Sequence, residues 1–377
     1  MAAPLRIDEL TATGSLTATA AVAVVQGGQT LQFPASAFIT QANSITQSGS
    51  GAVSRTMQEK ARDVIHINDF GGVADSSGAD NAAALNNAAA EAVSSGVMQI
   101  DMDGALYYFA TQPAAFTSGI TLVGRGKRKT HLVRNYTAQS VTEAFLDWTG
   151  SVTAADGGGL RNCIPYAATG TTSGAAIKLT AASASSRPGH MSFLGGEVSG
   201  VGTWAYAIYA DGSGVTTAGA QGIRDITFMD FGLFNCTTKT ILVKNAVNWH
   251  FVALSTFTGS GNAPDITVDG GGASDSNSQG VYFSGLNHGG AITVQNCNET
   301  FFSAARAASL TIDSTATNGS YVGYLAAAPT NGSTSWHVLY TKSGIGVAIS
   351  GAITAISLAG TGSRTVVADA NGLLSAP

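Results

Sequence analysis

One stretch of the chain shows a strong helical pattern of hydrophobic positions. Its apolar residues fall at i, i+3, i+4, i+7 and i+8, which places on one narrow face Leu85, Ala88, Ala89, Ala92 and Val93. Asp80 stands where an N-terminal capping acceptor is wanted, and Gly96 stands where a C-terminal cap is wanted. The face is mostly alanine, so we predict a helix that lies very close to the element it covers.

The residues after this helix show the two-residue alternation of β-strands, beginning with Met98, Ile100 and Met102. From about Leu106 to Ile356, apolar runs of three to five residues recur between turns rich in Gly, Asn, Ser and Thr. We predict stacked coils of about twenty residues each, giving about ten or eleven rungs around one shared apolar core. The fold class that this pattern indicates is therefore all-β, a repeat array of short strands.

Asparagines recur at the predicted bends of this solenoid. Phe234-Asn235-Cys236-Thr237 resembles Gln295-Asn296-Cys297-Asn298 at an offset of 61 positions, about three coils. We interpret the bend asparagines as ladders that stabilise stacked turns, in preference to ligand binding: Asn235, Asn245, Asn248, Asn296 and Asn298.

Both ends of the chain show short strand patterns of their own. The apolar run Ala21–Val25, the turn Gln26-Gly27-Gly28-Gln29 and the run Thr30–Phe33 predict a hairpin in a unit of residues 1–50. That unit is too small to bury much core, which predicts docking or oligomerisation. A Ser/Gly-rich linker is predicted over Asn43–Val53, and the charged segment Ser54–Asp63 that follows it favours a helical turn or two. Residues 357–377 predict a small tip with a hairpin turn at Asn371-Gly372.

Composition and charge narrow the function classes. Charged residues make up only 11% of the chain, and 47 glycines favour many short strands joined by tight turns. The formal net charge of −5 argues against nucleic acid as a partner. Cys163, Cys236 and Cys297 predict buried thiols and no disulfide framework. We expect no membrane insertion and no cleavable signal peptide.

The stretch from Ser54 to Tyr108 resembles a known family pattern. Its order is Ser54-Arg55-Thr56 with Lys60 and Arg62-Asp63, a strand, Asp69-Phe70-Gly71, Asp75, Asp80-Asn81, the Ala-rich helix, and the aromatic pair Tyr107-Tyr108. This order is similar to the N-terminal segment of phage tailspike and tail fibre proteins with a pectin-lyase-like β-helix. The resemblance implies a right-handed parallel β-helix in a homotrimer. It also implies a structural cap that includes Asp69, Phe70, Gly71, Asp80 and Leu85.

The resemblance extends to both termini and implies a function. The hairpin unit resembles the virion-attachment module of such proteins, and Gly360–Leu374 resembles a short element of phage fibres. We expect residues 1–50 to be the attachment module, 51–105 the neck and capping helix, 106–356 the β-helix body and 357–377 the tip. The implied protein is made in the host cytoplasm and joins the virion tail. There it docks on a tail or baseplate protein and attaches to a polysaccharide or lipopolysaccharide of the host surface.

The sequence does not decide whether the glycan is cleaved. Polysaccharide hydrolysis needs two carboxylates at a fixed separation, and no acidic motif is present in the body. The catalytic candidates are isolated acids, for which solvated turn residues are the simpler interpretation: Asp225, Asp230, Asp265, Asp269 and Asp275. We expect binding without cleavage, and the alternative is a depolymerase, either a glycoside hydrolase or a lyase, acting on capsule or O-antigen.

Aromatic and basic residues supply the candidates for glycan contact. Trp204 and Tyr206 share a strand face by alternation, and Trp249 precedes His250. The basic run from Arg125 through Lys127 to Lys129, together with Arg134, is the one charge cluster; it suits a solvated turn or contact with anionic glycans. The histidines and cysteines show no metal-ligand spacing, so we expect no metal and no cofactor.

Overall fold

The computed structural model describes residues 64–126, 128–149, 155–181, 183, 186–215, 222–257, 265–270 and 279–342, together with the backbone of seven outlying strands. The strands before the helix are β1 (Ala21–Gln26), β2 (Gln29–Pro34), β3 (Ser44–Thr46), β4 (Ser54–Thr56) and β5 (Ile65–His66). A 3-10 turn spans Ile67–Phe70, and helix α1 spans Ala82–Ser95.

The strands after the helix follow one another at short intervals. Those in the first half are β6 (Gln99–Met102), β7 (Leu106–Phe109), β8 (Thr121–Gly124), β9 (Thr130–Arg134), β10 (Ala144–Thr149), β11 (Ala155–Asp156), β12 (Gly159–Arg161), β13 (Cys163–Ala167), β14 (Ala175–Thr180), β15 (Pro188–Leu194), β16 (Glu197–Gly200) and β17 (Trp204–Asp211). Those in the second half are β18 (Ile223–Met229), β19 (Gly232–Phe234), β20 (Cys236–Lys244), β21 (Ala246–Val252), β22 (Ser255–Phe257), β23 (Ile266–Asp269), β24 (Gln279–Ser284), β25 (Ala291–Gln295), β26 (Asn298–Ala307), β27 (Ser309–Ile312), β28 (Ser320–Leu325), β29 (Thr330–Asn331), β30 (His337–Lys342), β31 (Ile345–Ser350), β32 (Val367–Ala368) and β33 (Leu374–Ser375).

Three parallel sheets form the body. Sheet 1 contains, in spatial order, β6, β8, β12, β15, β18, β21, β24, β26, β28 and β30. Sheet 2 runs β7, β9, β13, β16, β19 and β22, and sheet 3 runs β10, β14, β17, β20, β23, β25, β27 and β29. Successive strands visit the sheets in turn, so each coil of the chain is one rung of a parallel β-helix. The described residues contain ten rungs on sheet 1, in agreement with the predicted ten or eleven. The predicted coil length of about twenty residues was wrong in part, because paired positions on neighbouring rungs lie from 17 residues apart (Ser320 and His337) to 38 residues apart (Thr121 and Gly159).

Contacts between residues divide the chain into two units, Met1–Ile65 with Ser95–Val97, and His66–Ser94 with Met98–Pro377. In the first unit β1 and β2 pair antiparallel, as predicted for the hairpin. The linker prediction was wrong in part, because Ser44–Thr46 pairs antiparallel with Ser54–Thr56. The charged segment from Ser54 therefore begins as a strand, where the sequence favoured a helical turn. In the second unit β32 and β33 pair antiparallel on either side of the predicted turn at Asn371-Gly372.

Helix α1 forms where the hydrophobic pattern predicts it, but the residues on its buried face differ in part from those predicted. Leu85, Ala88 and Ala92 are buried as predicted, and Ala82 and Ala84 join them. Val93 is 44% exposed, so its predicted place on the buried face was wrong. Asp80 Oδ1 accepts a hydrogen bond from Ala82 N at 3.2 Å, which confirms the expected capping acceptor.

The residues that precede α1 hold the first rung through hydrogen bonds. Asp80 also accepts from Ala110 N at 3.1 Å and from Thr111 Oγ1 at 2.7 Å. Asp75 N donates to Leu106 O at 2.7 Å, and Tyr107 Oη lies 3.0 Å from Asn68 Oδ1. These residues therefore have structural partners in the first rung.

The Asp69-Phe70-Gly71 motif shapes the turn before this region. Gly71 ends the 3-10 turn with a φ of 87°, a left-handed conformation that glycine adopts without steric cost. Phe70 is half-buried, while Asp69 is exposed and makes no hydrogen bond to any described residue. Asn68 contacts the first rung, where its Nδ2 donates to Asp103 Oδ1 at 2.9 Å and its Oδ1 accepts from Tyr107 Oη.

A stack of phenylalanines fills the core behind sheet 1. The rings of Phe193 and Phe228 lie 4.4 Å apart at an angle of 7°, and Phe251 follows at 5.3 Å from Phe228. Phe283 continues the stack at 4.5 Å and Phe302 at 4.6 Å. All five side chains are buried, so this column contributes strongly to the free energy of folding.

The bend asparagines do link neighbouring rungs. Asn245 Nδ2 donates to Gly212 O at 3.1 Å, Asn235 Nδ2 donates to Gly200 O, and Asn298 Oδ1 accepts from Asn318 at 2.9 Å. The proposed three-coil repeat was wrong, however, because Asn235 lies between β19 and β20 whereas Asn296 lies between β25 and β26. These are bends between different pairs of sheets. Their similarity reflects a shared left-handed conformation, with φ of 57° and 52°.

Candidate functional site

The outer surface of sheet 1 has a regular frame that repeats over five rungs. In each rung two residues with positive φ lie five positions apart: His190 and Gly195, Asp225 and Asp230, Asn248 and Ala253, Gly280 and Gly285, and Glu299 and Ala304. The four extended residues between them alternate inward and outward. The frame therefore exposes a strip two side chains wide, which we call the outer strip.

A row of polar residues borders the outer strip on the side where its strands begin. The carboxylate of Asp225 receives a hydrogen bond from Asn248 Nδ2 at 2.6 Å. His190 Nδ1 lies 3.3 Å from the same carboxylate, and Arg224 Nε lies 3.9 Å away. Asn248 Oδ1 in turn lies 2.9 Å from His250 Nε2. Side chains of three successive rungs are thus joined in one continuous chain of polar contacts.

The polar row leads into a stack of aromatic rings on the outer strip. The rings of His250 and Tyr282 lie 4.9 Å apart at 12°, and Tyr282 and Phe301 lie 5.5 Å apart at 10°. All three side chains are half-buried. Because the rings stack along the helix axis, they cover one another's faces and present their edges outward. Tyr282 Oη has no hydrogen-bond partner among the described residues.

Gly280 makes room for the central ring of this stack. It has a φ of +70°, and a Cβ there would meet Tyr282 Cε2 at 3.1 Å and Tyr282 Oη at 3.2 Å. The other members of its column carry side chains, so glycine at this one position is explained by the tyrosine ring that lies beside it. The absence of a side chain at Gly280 therefore leaves the space that the Tyr282 ring occupies.

The tryptophans that the sequence suggested for glycan binding lie in the core. Trp204 and Trp249 are both 0% exposed. Their indole nitrogens donate to backbone carbonyls, Trp204 to Ser199 O at 3.0 Å and Trp249 to Ile223 O at 2.9 Å. Inward orientation on the strand removes both from contact with a ligand. Tyr206 is 8% exposed and packs beside Tyr209 on sheet 3, away from the outer strip.

The dipeptide Trp249-His250 contained a sequence signal for an outward-facing His250, which the prediction missed. Neighbouring strand residues face opposite sides of a sheet, so a buried Trp249 places His250 outside. Tyr282 and Phe301 align with His250 only through the strand register, because the connections between their strands differ in length. Sequence alone does not reveal that alignment.

The basic cluster is divided between the surface and the core. Arg125 is exposed, and Arg128 forms an ion pair with Glu197 at 3.0 Å. Lys127 lies outside the described residues. Arg134 was wrongly grouped with these surface cations, because it is 0% exposed.

Arg134 ties three rungs together from within. Its guanidinium donates to Ser173 O at 2.7 Å and Thr203 O at 2.9 Å, and it lies 4.0 Å from the Trp204 ring. Burial lowers the pKa of Arg134 to about 10. The residue therefore acts as a structural cation and does not contribute to a basic surface.

The candidate acids do not converge. Asp225 and Glu299 border the same strip, but three strand spacings separate them, roughly 14 Å. Asp265 precedes β23 on sheet 3 and Asp269 is its last residue. Asp269 accepts hydrogen bonds from Gln295 Nε2 at 2.9 Å and Asn296 Nδ2 at 3.0 Å. Asp230 is at the far border of the strip, and Asp275 lies outside the described residues.

The described residues supply neither a metal centre nor a membrane span. Over these parts of the chain, no group of three His, Cys, Asp or Glu side chains is placed to hold a metal ion. No helix among them has the length and apolar character needed to cross a membrane. All three cysteines are buried free thiols, as predicted.

Comparison with known proteins finds likeness in structure alone. No family model matches the chain, and no curated protein matches its sequence. Among solved structures, tailspike protein 3 of bacteriophage CBA120 is 12% identical, with a TM-score of 0.32 over 83% of this chain and 66% of that one. The gp42 tailspike of Acinetobacter phage vb_AbaP_AS12 is 11% identical, with a TM-score of 0.39 over 81% and 67%.

A polysaccharide-modifying enzyme also appears among the matches. The A-module of mannuronan C-5 epimerase AlgE4 from Azotobacter vinelandii is 10% identical, with a TM-score of 0.30 over 74% of this chain and 94% of that one. This chain spans about two thirds of the tailspike chains. Because these TM-scores lie below 0.5, the assignment of a parallel β-helix rests on the strand pairing of the chain itself.

Proposed function

We propose that this protein is a phage tail appendage that uses the outer strip of sheet 1 to bind a polysaccharide of the bacterial surface. The observation that carries the proposal is the polar row of Asp225 and Asn248 running directly into the ring stack of His250, Tyr282 and Phe301. The resemblance of Ser54–Tyr108 to the tailspike N-terminal pattern supports the biological setting.

The chemistry of the strip suits a sugar chain better than a charged or purely apolar ligand. Sugars combine hydroxyl groups with apolar CH surfaces, and the strip offers amide, imidazole and phenol groups beside ring edges. Rungs repeat every ~4.8 Å along the axis, so a linear polymer lying along the strip meets a new set of side chains at each rung. Tyr282 Oη, free of partners among the described residues, is positioned to donate to a sugar oxygen.

The separation of the carboxylates that border the outer strip favours binding without cleavage. Glycoside hydrolysis uses carboxyl pairs about 5 Å or 6.5–9.5 Å apart, and the roughly 14 Å between Asp225 and Glu299 exceeds both. Asp225 is also engaged by His190 and Asn248. A depolymerase remains the second candidate, because acids of neighbouring subunits could complete a pair.

The assembly is part of the same proposal. We infer a right-handed coil, a homotrimer, attachment to a tail or baseplate protein through residues 1–50, and incorporation into the virion tail. Helix α1, with Leu85 fully buried, is proposed to cap the apolar interior of the first rung, since an uncovered end would expose strand edges and core. Attachment to the host cell is the role that this arrangement would serve.

Removing the central ring tests the proposal. Tyr282→Ala should weaken binding to purified lipopolysaccharide or capsule from host strains about tenfold, since contacts of the ring edge with the sugar and one hydrogen bond together contribute about 1.4 kcal/mol. Biolayer interferometry measures the affinity. Tyr209→Ala on sheet 3 is the matched control and should bind normally. Equal affinity of the Tyr282→Ala variant and the unmodified protein would reject the outer strip as the binding surface.

Cleavage needs a separate assay. We expect no new reducing ends and no unsaturated-uronate absorbance after incubation with the same polysaccharides. Release of oligosaccharides would favour the depolymerase. Repeating the assay with Asp225→Asn and Glu299→Gln would then ask whether either border carboxylate takes part.

A further inference from the structure

The outer side of sheet 2 carries a groove at the first rungs, far along the axis from the ring stack. Its volume is about 360 Å³, and its lining comes from neighbouring strands: Leu106 and Tyr108 of β7, His131 and Val133 of β9, Tyr166 of β13, and the following Ala168, Thr169 and Val201. Val201 is 65% exposed at its rim. We call this the sheet 2 groove.

Three polar groups in the groove have no hydrogen-bond partner among the residues that the structure describes. The phenol oxygens of Tyr108 and Tyr166 and the imidazole nitrogens of His131 make no hydrogen bond to any described residue. The ring of His131 meets that of Tyr166 edge-on, with centroids 5.5 Å apart at 86°. Aromatic surface, aliphatic surface and free hydrogen-bonding groups therefore meet in one concave place.

The lining indicates the charge of its ligand. Among the described residues, no Asp, Glu, Lys or Arg lines the groove, so an ionic ligand would find no counter-charge from them there. A pyranose without ionic groups presents CH faces to aromatic and aliphatic walls and hydroxyls to phenol and imidazole groups. We propose that the sheet 2 groove binds one uncharged pyranose residue as a second glycan site, an inference that rests on the proposed glycan-binding function.

The size of the groove favours a sugar over a protein. A volume of this order lies in the range of small-molecule sites, roughly 300–1,000 Å³. Stable protein interfaces use about 20–30 residues from each partner, whereas eight residues line this groove. Its place on sheet 2 also separates it from the outer strip, so a long polysaccharide could occupy both sites and gain affinity through effective concentration.

Chemical protection of His131 tests the groove directly. Diethyl pyrocarbonate acylates accessible imidazoles, and peptide mass spectrometry gives the rate at each histidine. The probes are glucose, galactose, mannose, rhamnose and N-acetylglucosamine, each up to about 100 mM because a single ring is expected to bind with a Kd of roughly 1–10 mM. At about 100 mM, at least one sugar should slow acylation of His131 about tenfold or more, because a Kd of roughly 10 mM or below leaves at most about one tenth of the sites free. Exposed His337 serves as the internal control and should react at an unchanged rate.

Two variants separate this inference from the proposed function. Tyr166→Ala should abolish the protection, whereas Tyr282→Ala should preserve it while losing polysaccharide affinity. The sheet 2 groove is rejected as a sugar site by unchanged His131 acylation with every sugar. Protection that persists in Tyr166→Ala rejects it equally. Protection that grows with protein concentration and without sugar would assign the groove to contact between copies of the chain and would also overturn the proposal. In each of these three outcomes, normal polysaccharide binding would still support the outer strip as the binding surface.

Discussion

The strands of sheet 1 carry two aromatic stacks, one on each face. The inner stack consists of five phenylalanines, all buried, with centroids 4.4–5.3 Å apart. The outer stack has three rings, those of His250, Tyr282 and Phe301, which are half-buried and 4.9–5.5 Å apart. The same strand register aligns both, because Phe251, Phe283 and Phe302 each follow an outer ring by one residue.

The difference lies in what surrounds each stack. Inside, apolar area is removed from water and every ring contacts neighbours on several sides, so the stack stabilises the fold. On the outer face the rings retain contact with water, and two of the three, those of His250 and Tyr282, carry polar atoms. Stability alone does not require imidazole and phenol at those positions. We therefore attribute the inner stack to folding and propose recognition as the role of the outer stack.

The largest expected effect comes from the inner stack. Phe251→Ala should lower the free energy of unfolding by about 3–5 kcal/mol, since it removes a buried ring and leaves a cavity. Phe301→Ala in the outer stack should lower it by about 1 kcal/mol, because it loses mainly ring stacking. Urea denaturation followed by tryptophan fluorescence measures both. Equal losses would show that the outer ring supports the fold as much as the inner one.

Interior polar residues should make stability depend on pH. His288 is 1% exposed; its Nε2 lies 3.1 Å from Ala291 O, so that nitrogen carries the proton, and its Nδ1 accepts from Thr256 Oγ1 at 2.6 Å. Burial lowers the pKa of His288 to about 4, against an ordinary value of 6.5. The neutral ring is therefore favoured in the folded state.

The stabilisation linked to His288 is complete above pH 6.5 and is lost as the pH falls towards 4. The loss should reach about 3 kcal/mol over this window. Denaturation curves at several pH values, compared with those of His288→Asn, measure it. The variant should show a flatter profile, and identical profiles would place the pH dependence elsewhere.

The fold could be predicted from sequence because its signals are local. Apolar alternation, turn residues and the helical face of Leu85 and Ala88 each depend on a few adjacent positions. The tailspike-like pattern at Asp69–Tyr108 then favoured a β-helix over other all-β architectures. Val93 and the segment from Ser54 were misassigned because tertiary contacts decide which face is buried and which strand pairs.

The outer strip could not be predicted, because it depends on register between distant segments. His250, Tyr282 and Phe301 meet only when coils of unequal length are stacked in their observed alignment. The sequence favoured the tryptophans as glycan-binding residues because their rings are the largest, but Trp204 and Trp249 are core residues. Strand alternation predicts that His250 faces outward if Trp249 faces inward. It does not identify which residues of the next rungs lie beside His250.

The finest test of the two-stack comparison uses two glycines, Gly280 within β24 and Gly285 directly after it. Gly280 and Gly285 frame the four residues of β24 that hold Tyr282 and Phe283, and their φ values are +70° and +69°. A Cβ at Gly280 would meet the Tyr282 ring at 3.1 Å, whereas a Cβ at Gly285 would have its nearest neighbour at 3.6 Å, Ala253 Cα. Alanine already occupies the equivalent positions 253 and 304 with positive φ.

Gly280→Ala and Gly285→Ala should therefore share one effect and differ in another. Each should lower the free energy of unfolding by about 1 kcal/mol, the cost of a left-handed alanine. Only Gly280→Ala should displace the Tyr282 ring and weaken polysaccharide binding, by about threefold to tenfold if part of the ring's contribution is lost. Affinities and urea midpoints of both variants give the comparison. Because backbone strain is matched, a difference in affinity alone reports the ring position, and equal affinities would mean that recognition does not depend on the outer stack.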